Sequence, residues 1–248
     1  MKRLLVAAIA VFTLTTSAFA LDITAMNDDE RVAFRAEVRA YLLDNPDVIM
    51  EAVAVLEQRQ AANQDQADVD LVRANADDLF NDGYSWVGGN LEGDIVMVEF
   101  TDYRCGYCRR AHDEVAELIA SDGNIKFILK EYPILGEAST MSARFAIATQ
   151  QVLGQDAYYN VQNALMTFNG DVTETTLRRL GEGLGLDADA ILAGMDADSV
   201  TAVIAANHAL AARMQITGTP TFVMNEIMVR GYVPLDGMRQ IVSEIRGN

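Results

Sequence analysis

Cys105 and Cys108, the only cysteines of the chain, stand in "VEFTDYRCGYCRRAHDEV", between an apolar strand-like run and an amphipathic helical one. That placement constrains the fold strongly. Ile95 to Phe100 reads as a buried strand, and Arg109 to Ala120 as a helix with one apolar face. A turn at Asp122-Gly123-Asn124 follows, then the strand-like "IKFILKEY". A strand, a helix and a strand in that order build a right-handed parallel crossover. A disulfide enclosing two residues restricts the unfolded chain very little, so a structural bridge is a poor explanation of the pair. Redox chemistry or metal binding is the better one.

The first turn of a helix offers unpaired backbone amides and the positive end of the helix dipole to Cys105. A thiolate there gains roughly 0.3 to 2 kcal/mol, enough to lower a thiol pKa by up to about one unit or more. Cys105 is thus expected to be the nucleophile. Cys108, one turn later and better buried, would resolve the mixed disulfide. A stabilised thiolate also makes the disulfide more oxidising, by roughly 30 mV for about 1.4 kcal/mol. Arg104 and Arg109 flank the pair and either add to this effect or are ordinary solvated charges. A tetrahedral metal site needs two further ligands, and no second CxxC or HxxxH is present. His112 lies seven residues after Cys105 and His208 is distant, so no metal site is assigned. With 11 methionines in the chain, a soft Cu(I) site on the two thiolates stays open as an alternative.

The compartment is read from the first residues. Lys2 and Arg3 precede an apolar run from Leu4 to Leu14, and Ala18-Phe19-Ala20 has the small-x-small form of a cleavage site. Residues 1–20 therefore read as a secretory signal peptide, which directs the chain to the periplasm. That run is too short for a bilayer of roughly 30 Å, and no later stretch reaches roughly 18 uninterrupted apolar residues. Losing Lys2 and Arg3 takes the basic count from 19 to 17 against 36 acids, and the formal charge from −17 to −19. Nucleic acid and anionic membrane surfaces are poor partners for such a chain.

Residues 21–82 read as a helical arm, broken at Asn45-Pro46, in which Val48, Ile49, Ala52, Val53 and Leu56 recur at helical spacing. "EQRQAANQDQAD" is polar nearly all round, as in a linker, an arm or a helical assembly. From 83 the period shortens, with extended segments in "YSWVGGNLEGDIVMVEF". Residues 137–213 are helical in pattern, and "GEGLG" within them lacks dinucleotide-binding spacing and reads as helix caps. Strand signals return in "TPTFVMN" and "IMVRGYV", and a last helix begins near Leu235. The fold class is α/β: a small mixed sheet split by a helical insertion, preceded by a helical arm.

"VEFTDYRCGYCRRA" followed, beyond a helical block, by "GTPTFVMN" resembles the DsbA-like thiol-disulfide oxidoreductases, which carry a thioredoxin fold with an inserted helical domain. The resemblance implies a cis Pro220 against the Cys105–Cys108 pair. It also implies a substrate side formed by Gly106, Tyr107, Thr219 and Pro220, with the Thr219 backbone offered to an extended client as an added strand. Glu99, six residues before Cys105, matches a buried acid near the resolving cysteine, and Lys130 in the next strand is its candidate partner. A buried charge needs one, so the two face inward together or both reach solvent. "NPDVIMEAVAVLEQRQ" is similar to the N-terminal segment of ScsC-type members, in which it can drive oligomerisation. The chain departs from DsbA proper in carrying this arm and in enclosing Gly-Tyr rather than Pro-His between its cysteines.

These readings converge on an exported enzyme exchanging disulfides with cysteine-containing secreted proteins, as isomerase or reductase or as oxidase. It would need no cofactor beyond its own redox-active disulfide. A membrane redox partner and a homo-oligomer built through the arm are implied. A periplasmic copper-binding module using the reduced pair is the alternative of another class, and a helical assembly protein with an inert disulfide is a third.

Overall fold

The computed structural model describes residues 23–247, so the signal peptide expected at 1–20 lies outside the described residues. The chain divides into two compact units, 1–59 and 60–248.

In the first unit, helix α1 (Asp28–Asp44) starts at a capping box. The Asn27 side chain accepts from the Glu30 amide at 3.0 Å, and the Glu30 carboxylate accepts from the Asn27 amide at 2.9 Å. The helix stops ahead of Pro46, and helix α2 (Asp47–Ala74) begins just after it. No residue of α1 is buried. Val32, Phe34, Val38 and Tyr41 of α1, and Ile49, Met50, Val53 and Leu56 of α2, are exposed apolar side chains.

The second unit is built on a five-stranded mixed sheet of order β1-β3-β2-β4-β5. The strands are β1 (Trp86–Gly89), β2 (Ile95–Thr101), β3 (Ile125–Glu131), β4 (Thr221–Met224) and β5 (Ile227–Arg230). Only β2 and β3 are parallel, and helix α4 (Gly106–Asp122) crosses between them. Central β2 is covered on both faces, which explains its nearly continuous apolar run. Between β3 and β4 run five helices: α5 (Glu137–Leu153), α6 (Gln155–Thr167), α7 (Glu174–Gly183), α8 (Ala188–Gly194) and α9 (Asp198–Arg213). They fill residues 137–213 between the two halves of the sheet. Helix α10 (Leu235–Arg246) closes the unit.

One sheet face packs Met97, Phe127, Leu129 and Phe222 against α4 and the insertion. The other packs Val98, Phe100, Ile128 and Val223 against Val72, Leu79, Leu210 and Met214. Val72 lies near the end of α2, and Leu79 in the short helix α3 (Ala76–Phe80). The arm expected to reach Asp82 is therefore shorter. The unit that holds the sheet begins at Gln60, because the end of α2 and all of α3 supply a layer of its core. Buried Asp68 takes Arg230 as partner. Arg73 grips Glu226 of the β4–β5 turn with two bonds of 2.8 Å. The polar pattern of 57–68 hid this, since inward-facing residues begin only at Asp68.

Candidate functional site

Asp102, immediately after β2, shapes the turn that carries the cysteines. One carboxylate oxygen accepts from the Arg104 amide at 2.8 Å, an Asx turn. The other accepts from the amides of Ile134 and Leu135 at 2.8 and 3.1 Å. The Asp102 carbonyl accepts from the Cys105 amide at 3.1 Å, and Cys105 becomes the N-cap of α4. There its sulfur accepts the Cys108 amide at 3.4 Å.

Both cysteines are free thiols. Cys105 is 7% exposed and Cys108 is sealed behind it at 0%. The bond from the Cys108 side chain, with others from Thr219 and the amides of Cys108 and Tyr107, outweighs burial and holds Cys105 down at about 5. Cys108 moves the opposite way, because it donates to Cys105, is buried, and feels the charge of Glu99. The arrangement thus makes one thiolate and one retained thiol.

Thr219 and Pro220 face this pair. The Thr219–Pro220 peptide is cis, and the Thr219 carbonyl oxygen lies 3.2 Å from Cys105 Sγ. Pro220 is buried and Thr219 half-buried, while Gly106 and Tyr107 are exposed. Tyr107 stacks on Tyr232, with ring centroids 6.1 Å apart, and Arg110 lies over the other ring at 4.5 Å. Arg109 reaches away from the sulfurs. It donates to the Tyr103 carbonyl at 2.7 Å, the Phe168 carbonyl at 2.6 Å and the Asn169 side chain at 2.9 Å. Arg104 adds a bond of 3.3 Å to the Gly170 carbonyl. Neither arginine is an ordinary solvated charge, since both tie the insertion to the cysteine turn.

Glu99 faces the cysteine side of the sheet and is 3% exposed. Burial, assisted by the charge on Cys105, pushes its carboxyl up to about 7. Lys130 does not meet it, and the expected Glu99–Lys130 pair is not formed. The β2–β3 register sets Glu99 opposite Leu129 and Phe100 opposite Lys130. One step along a strand reverses the face. Lys130 therefore lies behind the sheet, where its ammonium pairs with Asp82 and donates to the Asp78 carbonyl at 2.7 Å.

Two residues escaped the sequence reading. Asp102 left a signal, an acid two residues before an amide it can accept. Glu131 left none. It is 3% exposed, accepts from the hydroxyls of Tyr103 and Tyr158 at 2.6 and 2.7 Å, and is pushed by burial to about 8. Its partners are joined only by the tertiary fold. Among the described residues no group of three or more His, Cys, Asp or Glu side chains is placed to hold a metal ion.

Residues 96–243 match the model of the DSBA-like thioredoxin domain, and residues 30–63 that of the copper resistance protein ScsC N-terminal domain. A thioredoxin-like oxidoreductase from Silicibacter pomeroyi DSS-3 is 41% identical, with a TM-score of 0.65 over 69% of this chain and 98% of that one. The thiol-disulfide exchange protein alpha-DsbA2 from Wolbachia pipientis is 25% identical, with a TM-score of 0.69 over 74% and 98%. Among curated proteins, Na(+)/H(+) antiporter NhaA 3 of Salinispora tropica is 26% identical over 139 residues, 56% of this chain. The chain spans only 21% of that antiporter's length. With 148 residues of sheet, cysteine turn and insertion falling inside one family model, the chain belongs to the DSBA-like thioredoxin family of thiol-disulfide oxidoreductases.

Proposed function

We propose that this protein is an exported, periplasmic thiol-disulfide oxidoreductase acting on cysteines of secreted proteins, with Cys105 as nucleophile and Cys108 as resolving thiol. The observation that carries this is the asymmetry of the pair, one sulfur at a helix start beside the Thr219 carbonyl and the other fully buried. In the reducing direction the Cys105 thiolate attacks a client disulfide. A Cys105–client bond forms as the client bond breaks, and the departing client sulfur leaves as a thiolate and takes a proton. Cys108 then gives its proton to Glu99 and attacks Cys105 Sγ, releasing the reduced client and leaving the Cys105–Cys108 disulfide. In isomerisation a second client thiolate attacks the mixed disulfide instead, and the enzyme leaves reduced. A membrane-bound partner would reset the pair.

A thiolate present at low pH is the simplest check. Iodoacetamide should alkylate the reduced protein at one cysteine, Cys105, with a half-maximal rate near pH 5, the value its hydrogen bonds impose. A midpoint at the ordinary thiol value of about 8.5 would end the assignment of nucleophile.

The isomerase or reductase direction is favoured over oxidase by the first unit. Its exposed apolar residues on α1 and α2 are suited to association with other copies of the chain, which would bring several cysteine pairs around one client. The mature chain, started reduced, should restore activity to a scrambled-disulfide test protein, and a shortened chain beginning at Gln60 should not. The cut belongs at Gln60, because a cut at Asp82 would remove Val72 and Leu79 from the core. Equal reshuffling by both chains removes the role given to the arm. Failure of both, with ready transfer of the enzyme disulfide to a reduced protein, makes it an oxidase.

A further inference from the structure

Arg110 stands on α4 five residues beyond Cys105, about 7.5 Å along the axis at 1.5 Å per residue. It is exposed, and its guanidinium lies over the Tyr232 ring at 4.5 Å. That ring also stacks on Tyr107, one of the two residues between the cysteines, with planes 25° from parallel. Tyr107 and Arg110 are three apart and share one side of α4, and Glu114 continues it one turn further. Glu114 fixes the assembly. One of its carboxylate oxygens accepts from the Tyr232 hydroxyl at 2.7 Å, and the other from the Leu235 amide at the start of α10 at 2.8 Å. The group is therefore held jointly by α4 and by the connection from β5 to α10.

A guanidinium carries five N–H donors in one plane. Lying over a ring uses its face, and reaching the Tyr232 hydroxyl uses a donor, so part of the edge stays open to a guest. Both oxygens of Glu114 are taken elsewhere. Among the described residues no carboxylate forms an ion pair with Arg110, including Asp113 and Glu114 one turn on. Its neighbour Arg109 differs, having committed its donors to the insertion. An arginine whose plane is already set by stacking loses little further freedom on meeting a carboxylate, and offers it paired N–H bonds.

We propose that Arg110 is a specificity-determining residue of the exchange reaction, receiving the carboxylate of an Asp or Glu that stands within about three residues of the client cysteine. The reach follows from the geometry, since an extended client covers about 3.3 Å per residue and Arg110 is about 7.5 Å from Cys105 along the helix. Tyr107 and Tyr232 hold the guanidinium, and Glu114 is a positioning residue for Tyr232. The preferred client is thus a disulfide flanked by acid. The formal charge of −17 opposes such a client at long range, so a preference for it has to be made by contact. The proposal rests on the exchange reading of Cys105.

The test uses the full mature chain, started reduced, and short end-blocked peptides whose single cysteine is carried as its 2-pyridyl disulfide. The Cys105 thiolate bonds to the peptide sulfur as the bond to the pyridyl sulfur breaks. The released pyridine-2-thiolate takes a proton and becomes 2-thiopyridone, whose absorbance gives the rate. The peptides carry Glu, Gln or Lys at each of the three positions on either side of the cysteine and no other charge. Each rate is divided by that of the same peptide with free mercaptoethanol, which removes the intrinsic effect of the substitution. At one position or more, Glu should react about three- to tenfold faster than Gln, and Lys no faster than Gln. In Arg110→Gln the Glu-to-Gln ratio should fall to one or below. Raising salt from about 0.1 M to about 1 M, where the screening length is about 3 Å, should bring the native ratio toward one. That comparison decides alone if the variant fails to fold. A native ratio of one at every position, or a ratio unchanged by Arg110→Gln, overturns the proposal and leaves the exchange reading standing. Release of no thiopyridone from any peptide overturns the exchange reading, and this proposal with it.

Discussion

Cys105→Ser should abolish thiol-disulfide exchange, a loss on the order of a thousandfold or more, since the nucleophile itself is removed. Cys108→Ser should behave differently. Its Cys105 still attacks, but nothing resolves the adduct, so a mixed disulfide with the client accumulates and is seen as a mass increase that dithiothreitol reverses. The contrast follows from burial, because Cys108 at 0% exposure cannot meet a client directly and can act only on Cys105. Glu99→Gln should slow resolution while leaving Cys105 able to form the adduct. Full turnover by the Cys105→Ser protein, or an adduct mapped to Cys108, would contradict the roles assigned to the two sulfurs.

Lys130→Ala should cost stability rather than chemistry. Lys130 and Asp82 have side-chain exposures of 0% and 6%, and Asp82 also accepts from the Ser85 hydroxyl at 2.6 Å. Removing the ammonium leaves a nearly buried carboxylate uncompensated, which typically costs about 3 to 5 kcal/mol. Urea unfolding at pH 7 measures this, and a loss below about 1 kcal/mol would show that the pair carries no such weight. The pH dependence has a definite sign. Burial pushes Asp82 up, but its bonds from Lys130 and Ser85 together prevail and lower its pKa. An acid depressed by folding adds stability above its unfolded pKa of about 3.9 and loses it as pH falls through the folded value. The difference between the native protein and Lys130→Ala should therefore shrink as pH drops below about 4. The alkylation midpoint of Cys105 should not move in this variant, since Lys130 lies across the sheet from it.

Much of this molecule was legible because its signals are local. The strand before Cys105, the helix after it and the five-helix block at 137–213 rest on runs of hydrophobic period. What could not be read depends on which face of a strand a residue occupies. Glu99 and Lys130 both fall in strands buried on two sides, where no alternation of polar and apolar residues marks inside from outside. Only the register separates them. The boundary at Gln60 was hidden for a related reason, because one helix serves both units and its polar stretch continues past the point where burial begins. The buried carboxyl of Glu131 combines both difficulties. Its position is set by register, and its two phenol partners come from elements 27 and 28 residues away.

Under the exchange function proposed above, the clamp made by Arg109 bears on which proteins would become clients. Its three bonds, with the fourth from Arg104, fix residues 168–170 beside the cysteine turn before any client arrives. A junction assembled in advance has little to reorganise, so the ordering entropy of an encounter falls mainly on the guest. A segment already loose enough to reach Cys105 would meet that requirement readily, whereas a disulfide inside a well-packed domain would first have to be freed by local opening. Rigidity at this junction would thus grade clients by their own unfolding free energy. Misfolded proteins would be engaged first, and finished ones would be left alone.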